Sequence, residues 1–203
     1  MKRLLSLFLV CLILLSGCAA GPEPALEDML GTTEGSTYTA PFGFTIDGTD
    51  LYIFPREDLA AVNGLAEFTA EALMTQIDLG NAVTTFAAAP GGESSVTLSL
   101  FPAAGLPENV ETAADYADYG LTVMPEKLTA AGYTNVQLQR VEVQLDDGAH
   151  PAVLCSADLT GGYSYHLLQI CFRKGDWMGG LSLSSLESEE ALRELLTRIT
   201  STN

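Results

Sequence analysis

Residues 136–185 read VQLQRVEVQLDDGAHPAVLCSADLTGGYSYHLLQICFRKGDWMGGLSLSS, and the punctuation of this run decides the fold. Asp146-Asp147-Gly148, Gly161-Gly162 and Gly175-Asp176 are turn signals. Between them the chain is branched and alternating, which predicts four consecutive strands at Asn135–Val143, Pro151–Leu159, Tyr163–Phe172 and Trp177–Leu183. Short turns between such strands make an antiparallel meander. The third strand carries apolar residues on both parities, as a strand covered on both faces does.

Helical patterns flank this run. Upstream, Val110, Ala114, Ala117, Leu121, Met124, Leu128 and Ala131 recur at steps of three and four, forming one helical stripe. Asn109 is placed to cap it and Gly132 to end it. Pro125 is expected to kink or split this helix, with Gly120 a second weak point. Downstream, Leu192, Leu195, Leu196 and Ile199 form one face of a terminal helix. Glu189 with Arg193 and Glu194 with Arg198 are spaced to pair along it. The first half suggests strands at Phe42–Ile46 and Leu51–Phe54 and a helix at Ala66–Ile77. Ala82–Ala88 and Ser95–Phe101 suggest a hairpin around Pro90-Gly91-Gly92. The expectation is a single α+β domain, a helix–sheet–helix sandwich with an antiparallel meander.

The order of long helix, Gly132-Tyr133-Thr134-Asn135 turn, four-strand meander and terminal amphipathic helix resembles the PsbP-like fold over about residues 108–200. The likeness rests on element order, and many bacterial lipoproteins share that fold. It implies a binding or assembly role and no particular chemistry.

The N-terminus speaks to location. Met1-Lys2-Arg3 precedes an apolar run from Leu4 to Leu15 broken only by Ser6, the layout of a secretory signal. About a dozen residues at ~1.5 Å each fall short of a ~30 Å hydrocarbon core, so export is favoured over a transmembrane helix. The run closes as Leu15-Ser16-Gly17-Cys18, which resembles the lipobox of bacterial lipoproteins. That resemblance implies a signal peptide at 1–17, acylation (palmitate among the chains) of Cys18, and a lipid anchor on the extracytoplasmic face of a bacterial membrane. An ordinary secretory signal with an incidental cysteine is the alternative. Cys11 leaves with the leader. Residues 18–41 hold the acylated cysteine and an acidic, Gly/Pro/Thr-rich stretch without Lys or Arg. This composition predicts a flexible tether with an r.m.s. reach of about 25 Å; Leu26, Met29 and Leu30 are what would let it fold back. The domain is expected at 42–203.

The chain carries 9 basic and 26 acidic residues. Removal of Lys2 and Arg3 with the leader leaves 7 basic residues against 26 acids, a net charge of −19. Nucleic-acid binding requires a basic footprint and is not expected. The partners expected are the membrane, through the lipid on Cys18, and an unidentified protein.

No cofactor, metal or catalytic residue is assigned. His150 and His166 are too few for a zinc site, and their strand positions separate them. Serine is plentiful, but no G-x-S-x-G motif is present. Asp146-Asp147-Gly148 lacks the EF-hand spacing. Ala89-Pro90-Gly91-Gly92 and Met178-Gly179-Gly180 lack a phosphate-loop setting and read as turns. Tyr116, Tyr119, Tyr133, Tyr163, Tyr165 and Trp177 either line a cleft between helix and sheet or belong to the core. A secreted hydrolase and a small-ligand carrier with a pocket over the sheet are the rival functions. Cys155 and Cys171 lie on successive strands. A two-residue Gly161-Gly162 turn sets Cys155 against Leu168 and sends Cys171 to the other face, predicting two free, buried thiols. A loop of Gly162-Tyr163-Ser164 instead sets the cysteines opposite one another, within reach of a disulfide.

Overall fold

The structure is a computed structural model that describes residues 24–91 and 93–202. In chain order its elements are β1 (Thr32–Glu34), β2 (Thr37–Ala40), β3 (Phe44–Asp47), β4 (Tyr52–Ile53), α1 (Arg56–Val62), α2 (Ala70–Asp78), β5 (Val83–Ala89), β6 (Ser94–Pro102), α3 (Ala113–Ala130), β7 (Thr134–Leu145), β8 (Gly148–Leu159), β9 (Tyr163–Lys174), β10 (Trp177–Ser185), α4 (Glu189–Leu196) and β11 (Ile199–Ser201). Short 3-10 turns occupy Leu26–Met29 and Ala103–Gly105. The α+β class is as expected. None of the described helices is long and apolar enough to cross a membrane.

The four strands read from the sequence, β7 to β10, pair in succession and antiparallel. They belong to a seven-stranded sheet of order β4-β5-β6-β10-β9-β8-β7, in which a second meander joins the first along β6 and β10. Side-chain alternation splits this sheet into two cores. On one face Val153, Cys155, Tyr165, Leu167 and Cys171 pack beneath Tyr116, Ala117, Met124 and Leu128 of α3. At Gly120 the helix lies within van der Waals reach of the sheet, where a Cβ would meet Val153 at an ordinary 3.6 Å. On the other face Leu98, Leu168, Ile170, Phe172 and Leu181 meet Tyr38, Phe44 and Ile46, with Leu192 and Leu195 of α4. Stacked Tyr38 and Phe86 (ring centroids 4.1 Å apart) and tilted Phe44 and Phe172 (4.8 Å) link the layers.

The covering layer on this second face departs from the expected sandwich. It is a four-stranded sheet of order β1-β2-β3-β11, helped by helices, and not helices alone. Its first strands come from the stretch read as a tether. Leu26, Met29, Tyr38 and Ala40 are buried in the main core, and the indole N–H of Trp177 donates to the Pro24 carbonyl at 2.7 Å. Residues 24–41 are therefore part of the domain, which does not begin at 42. Four buried side chains spaced along this stretch offset the ordering entropy that its composition alone would not. The leader, Cys18 and the first residues of the tether lie outside the described residues.

Other boundaries also move. The cap of α3 is Thr112, not Asn109. Thr112 and Asp115 form a capping box, with Thr112 N–H donating to the Asp115 carboxylate at 2.8 Å and Asp115 N–H to Thr112 Oγ1 at 3.1 Å. Pro125 does not split the helix, which runs unbroken from Ala113 to Ala130. The expected 66–77 helix starts at Ala70, where the Thr69 side chain caps it, and α1 precedes it. The terminal helix stops at Leu196, and Ile199 instead pairs with Ile46 as the start of β11. Neither expected ion pair forms: Arg193 bonds Glu190 at 2.9 Å, and Arg198 donates to the Thr49 carbonyl. Gly179 and Gly180 lie inside β10 and are not a turn. The Phe42 ring occupies the space a Cβ on Gly179 would need, and the Gln169 side chain lies over Gly180.

Candidate functional site: a bulge-backed cleft and a hydroxyl ladder

The pairing of β5 with β6 slips between Thr84 and Phe86, leaving Thr85 as the extra residue of a bulge. The buried carboxamide of Asn63, at the end of α1, holds it in place. Asn63 Oδ1 accepts from Thr84 N–H at 2.8 Å, and Nδ2 donates to the carbonyls of Thr84 at 2.9 Å and Leu59 at 2.8 Å. A side chain thus takes the place of a neighbouring strand, satisfying backbone groups that would be costly to bury unpaired. In the sequence, Asn63-Gly64 reads only as a turn.

Beside the bulge is a cleft of about 480 Å³ lined by Leu30, Tyr38, Pro55, Arg56, Phe68 and Thr85, among others. The Tyr38 hydroxyl donates to the Leu30 carbonyl at 3.0 Å. Burial pushes its phenol well above the usual range, so it is neutral at any physiological pH. Arg56, in the first turn of α1, has no salt bridge to any described residue. The cleft mixes apolar and aromatic side chains with the polar Thr32, Thr33 and Thr85 in nearly equal measure, with one cation at its margin, and a wall of it comes from the 30–33 stretch.

The centre of the large sheet carries a ladder of hydroxyls on the face that also bears α3. Ser95 and Ser184 Oγ atoms are 2.7 Å apart, and Thr84 Oγ1 and Ser99 Oγ 3.1 Å. Thr97 stands opposite Ser182, which stands opposite Gln169. All of these are buried, and Thr97 Oγ1 has no partner. The first two pairs are satisfied by cross-strand bonding, and no charged side chain takes part in them.

The histidines are not brought together. His166 stands opposite Ser156, six residues along β8 from His150, or about 20 Å. His150 Nε2 lies 2.9 Å from Asp147 Oδ1, and its ring rests against Phe172 with centroids 5.1 Å apart. Ser201 Oγ donates to the same Asp147 oxygen. Those two bonds, Ser201 first, hold the Asp147 carboxyl below the usual carboxylate range. A serine nucleophile requires histidine between the hydroxyl and the carboxylate; here the carboxylate is in the middle and the histidine does not touch the serine. Among the described residues no group of three His, Cys, Asp or Glu side chains is placed to hold a metal ion.

The aromatic residues do not line one cleft. Tyr116 of α3 packs with Tyr133 and Tyr165 in the core between helix and sheet, with Tyr119 of the same helix partly buried against it, Trp177 is fully buried on the opposite face, and Tyr163 is exposed. Cys155 and Cys171 are free and buried. The register differs from both expected loops. Cys155 faces Leu167, because the β8–β9 loop is Thr160-Gly161-Gly162. Both thiols therefore point to the α3 face, and burial pushes each up to about 12.

No family model matches the sequence, and no curated protein matches it. Among solved structures, a protein of unknown function, PA94 from Pseudomonas aeruginosa, is similar over 53% of this chain and 72% of its own, with 18% identity and a TM-score of 0.33. A likeness at that score carries no argument about fold or function.

Proposed function

We propose that this chain is a lipid-anchored, extracytoplasmic binding or assembly module that carries out no catalysis, built on a PsbP-like scaffold. The observation that carries the reading is that the paired hydroxyls of the ladder bond one another and no base, although Thr97 Oγ1 among them has no partner. Ser95 bonds Ser184 and Thr84 bonds Ser99, so these hydroxyls engage one another, and the one histidine–carboxylate pair among the described residues has the carboxylate in the middle. Such groups are spent on structure. The Leu15-Ser16-Gly17-Cys18 motif supports the anchor and the location, and the order α3, β7 to β10, α4 is consistent with the scaffold. The cleft beside the bulge supports a second reading, a carrier of a small ligand with both apolar and polar groups.

Photo-crosslinking in membranes tests it. A crosslinkable residue at Thr33 or Pro55, on the cleft, is expected to yield one discrete protein adduct. A small-molecule adduct at the same positions would favour the carrier. Ester or peptide hydrolysis by the purified protein, lost in Ser201→Ala or His150→Ala, would overturn the non-catalytic reading.

A further inference from the structure

The fold-back of residues 24–41 changes what the anchor can do. The described part of the domain reaches back to Pro24, whose carbonyl accepts from the Trp177 indole. Trp177 is the first residue of β10 and pairs with Lys174, the last of β9. Pro24 is thereby held at the end of the large sheet where Gly175 and Asp176 make the β9–β10 turn. Only Ala19–Glu23 separate Cys18 from Pro24. Six Cα–Cα steps reach at most about 20 Å fully extended. The same end carries Arg173 and Lys174, both exposed and two of the seven cations after Cys18. Asp176 and the Asp146-Asp147 turn lie beside them in the strand register, so this end offers no net attraction to an anionic lipid surface. What holds it there is the covalent link.

We propose that the anchored protein has no stalk, and that it stands on the lipid headgroup layer on its β9–β10 turn end. This rests on acylation at Cys18. Its consequence is directional: the β8–β9 loop, at the far end of strands twelve residues long, projects away from the membrane, so a partner bound to the distal half is met close to the bilayer but facing outward.

Trp177 is the only tryptophan in the chain, which makes the test direct. The acylated full-length protein is reconstituted into vesicles carrying a small fraction of headgroup-dansylated lipid. Energy transfer from Trp177 to dansyl is compared with that of a variant carrying about 20 Gly/Ser residues inserted between Glu23 and Pro24, a reach of roughly 25 Å. Matching melting curves establish that the insertion leaves the fold intact. Strong transfer in the native chain, falling at least about twofold with the insertion, is expected if the link alone sets the separation. Equal transfer in both chains, with both floating on the vesicles, would overturn the proposal and leave the anchor standing. A native chain that fails to float, with an unmodified Cys18 by mass, would overturn the anchor and this proposal together.

Discussion

Cys155 and Cys171 share one face of the large sheet on neighbouring strands, four positions apart in register, because Cys155 stands opposite Leu167. Four residues of strand separate them by about 13 Å, well beyond the ~7 Å limit for a disulfide. Both are buried, and burial pushes each thiol up to about 12. The folded protein is therefore expected to resist alkylation at pH 8 and to take up two labels after Cys18 once denaturant is added. Intact mass before and after reduction checks this, and a two-proton mass gain on reduction would contradict the register itself.

The same pair shows what the sequence discloses and what it hides. Turn residues and alternation expose four strands of the meander, because both are local signals. The loop length is not local. Gly161-Gly162 is the stronger turn signal of the two loop readings, yet Thr160 joins the loop, and one residue of slip brings Cys171 onto the same face as Cys155. Residues 24–41 are hidden for a similar reason. Leu26, Met29 and Tyr38 look sparse in an acidic stretch, and their partners, such as Phe86 and Leu73, lie far along the chain. Ile199 keeps helical spacing but is captured by β3. Of the candidate site, neither the bulge at Thr85 nor the role of Asn63 has a sequence signal beyond a turn dipeptide.

Asn63→Ala removes three hydrogen bonds to buried backbone at Thr84 and Leu59. Orphaned buried groups cost ~1–3 kcal/mol each, with partial relaxation. A loss of about 2–4 kcal/mol in urea unfolding is expected, with faster amide exchange at Thr84. A change below ~0.5 kcal/mol would place Asn63 among ordinary surface positions.

Leu195 and Leu196 are neighbours on α4 with different surroundings. Leu195 is 4% exposed and belongs to the main core, whereas Leu196 packs against it only partly buried. Leu195→Ala should cost ~2–5 kcal/mol, and Leu196→Ala clearly less. Equal costs would mean that the helix sits rotated from its place here.

Asp115 gives a pH signature. Its hydrogen bonds from Thr112 hold the carboxyl below its ordinary value, so the folded state releases this proton more readily than the unfolded chain. The stabilisation is present above the unfolded carboxyl range and is lost as pH falls through the lower folded value. Urea midpoints between pH 6 and 2.5 should therefore fall less steeply for Asp115→Asn than for the native chain. Thr112→Ala removes the hydroxyl half of the box and should cost ~0.5–2 kcal/mol. Parallel pH curves for Asp115→Asn and the native chain would deny the box any part in acid sensitivity.

The last expectation concerns where the domain begins. Met29 has no exposed surface, and Leu26 is 3% exposed. The Pro24 carbonyl takes the indole proton of Trp177, a donor that would otherwise be buried without a partner. Removing residues 24–34 deletes both apolar anchors, strips Trp177 of its acceptor and takes away one wall of the cleft. Met29→Ala alone should cost ~2–5 kcal/mol as a buried large-to-small change. The fragment surviving limited proteolysis should still contain Pro24–Pro41 when its N-terminus is sequenced. A stable fragment beginning near Phe42, with the melting temperature of the full chain, would return this stretch to the role of a tether and remove the geometric basis for a domain held against the membrane.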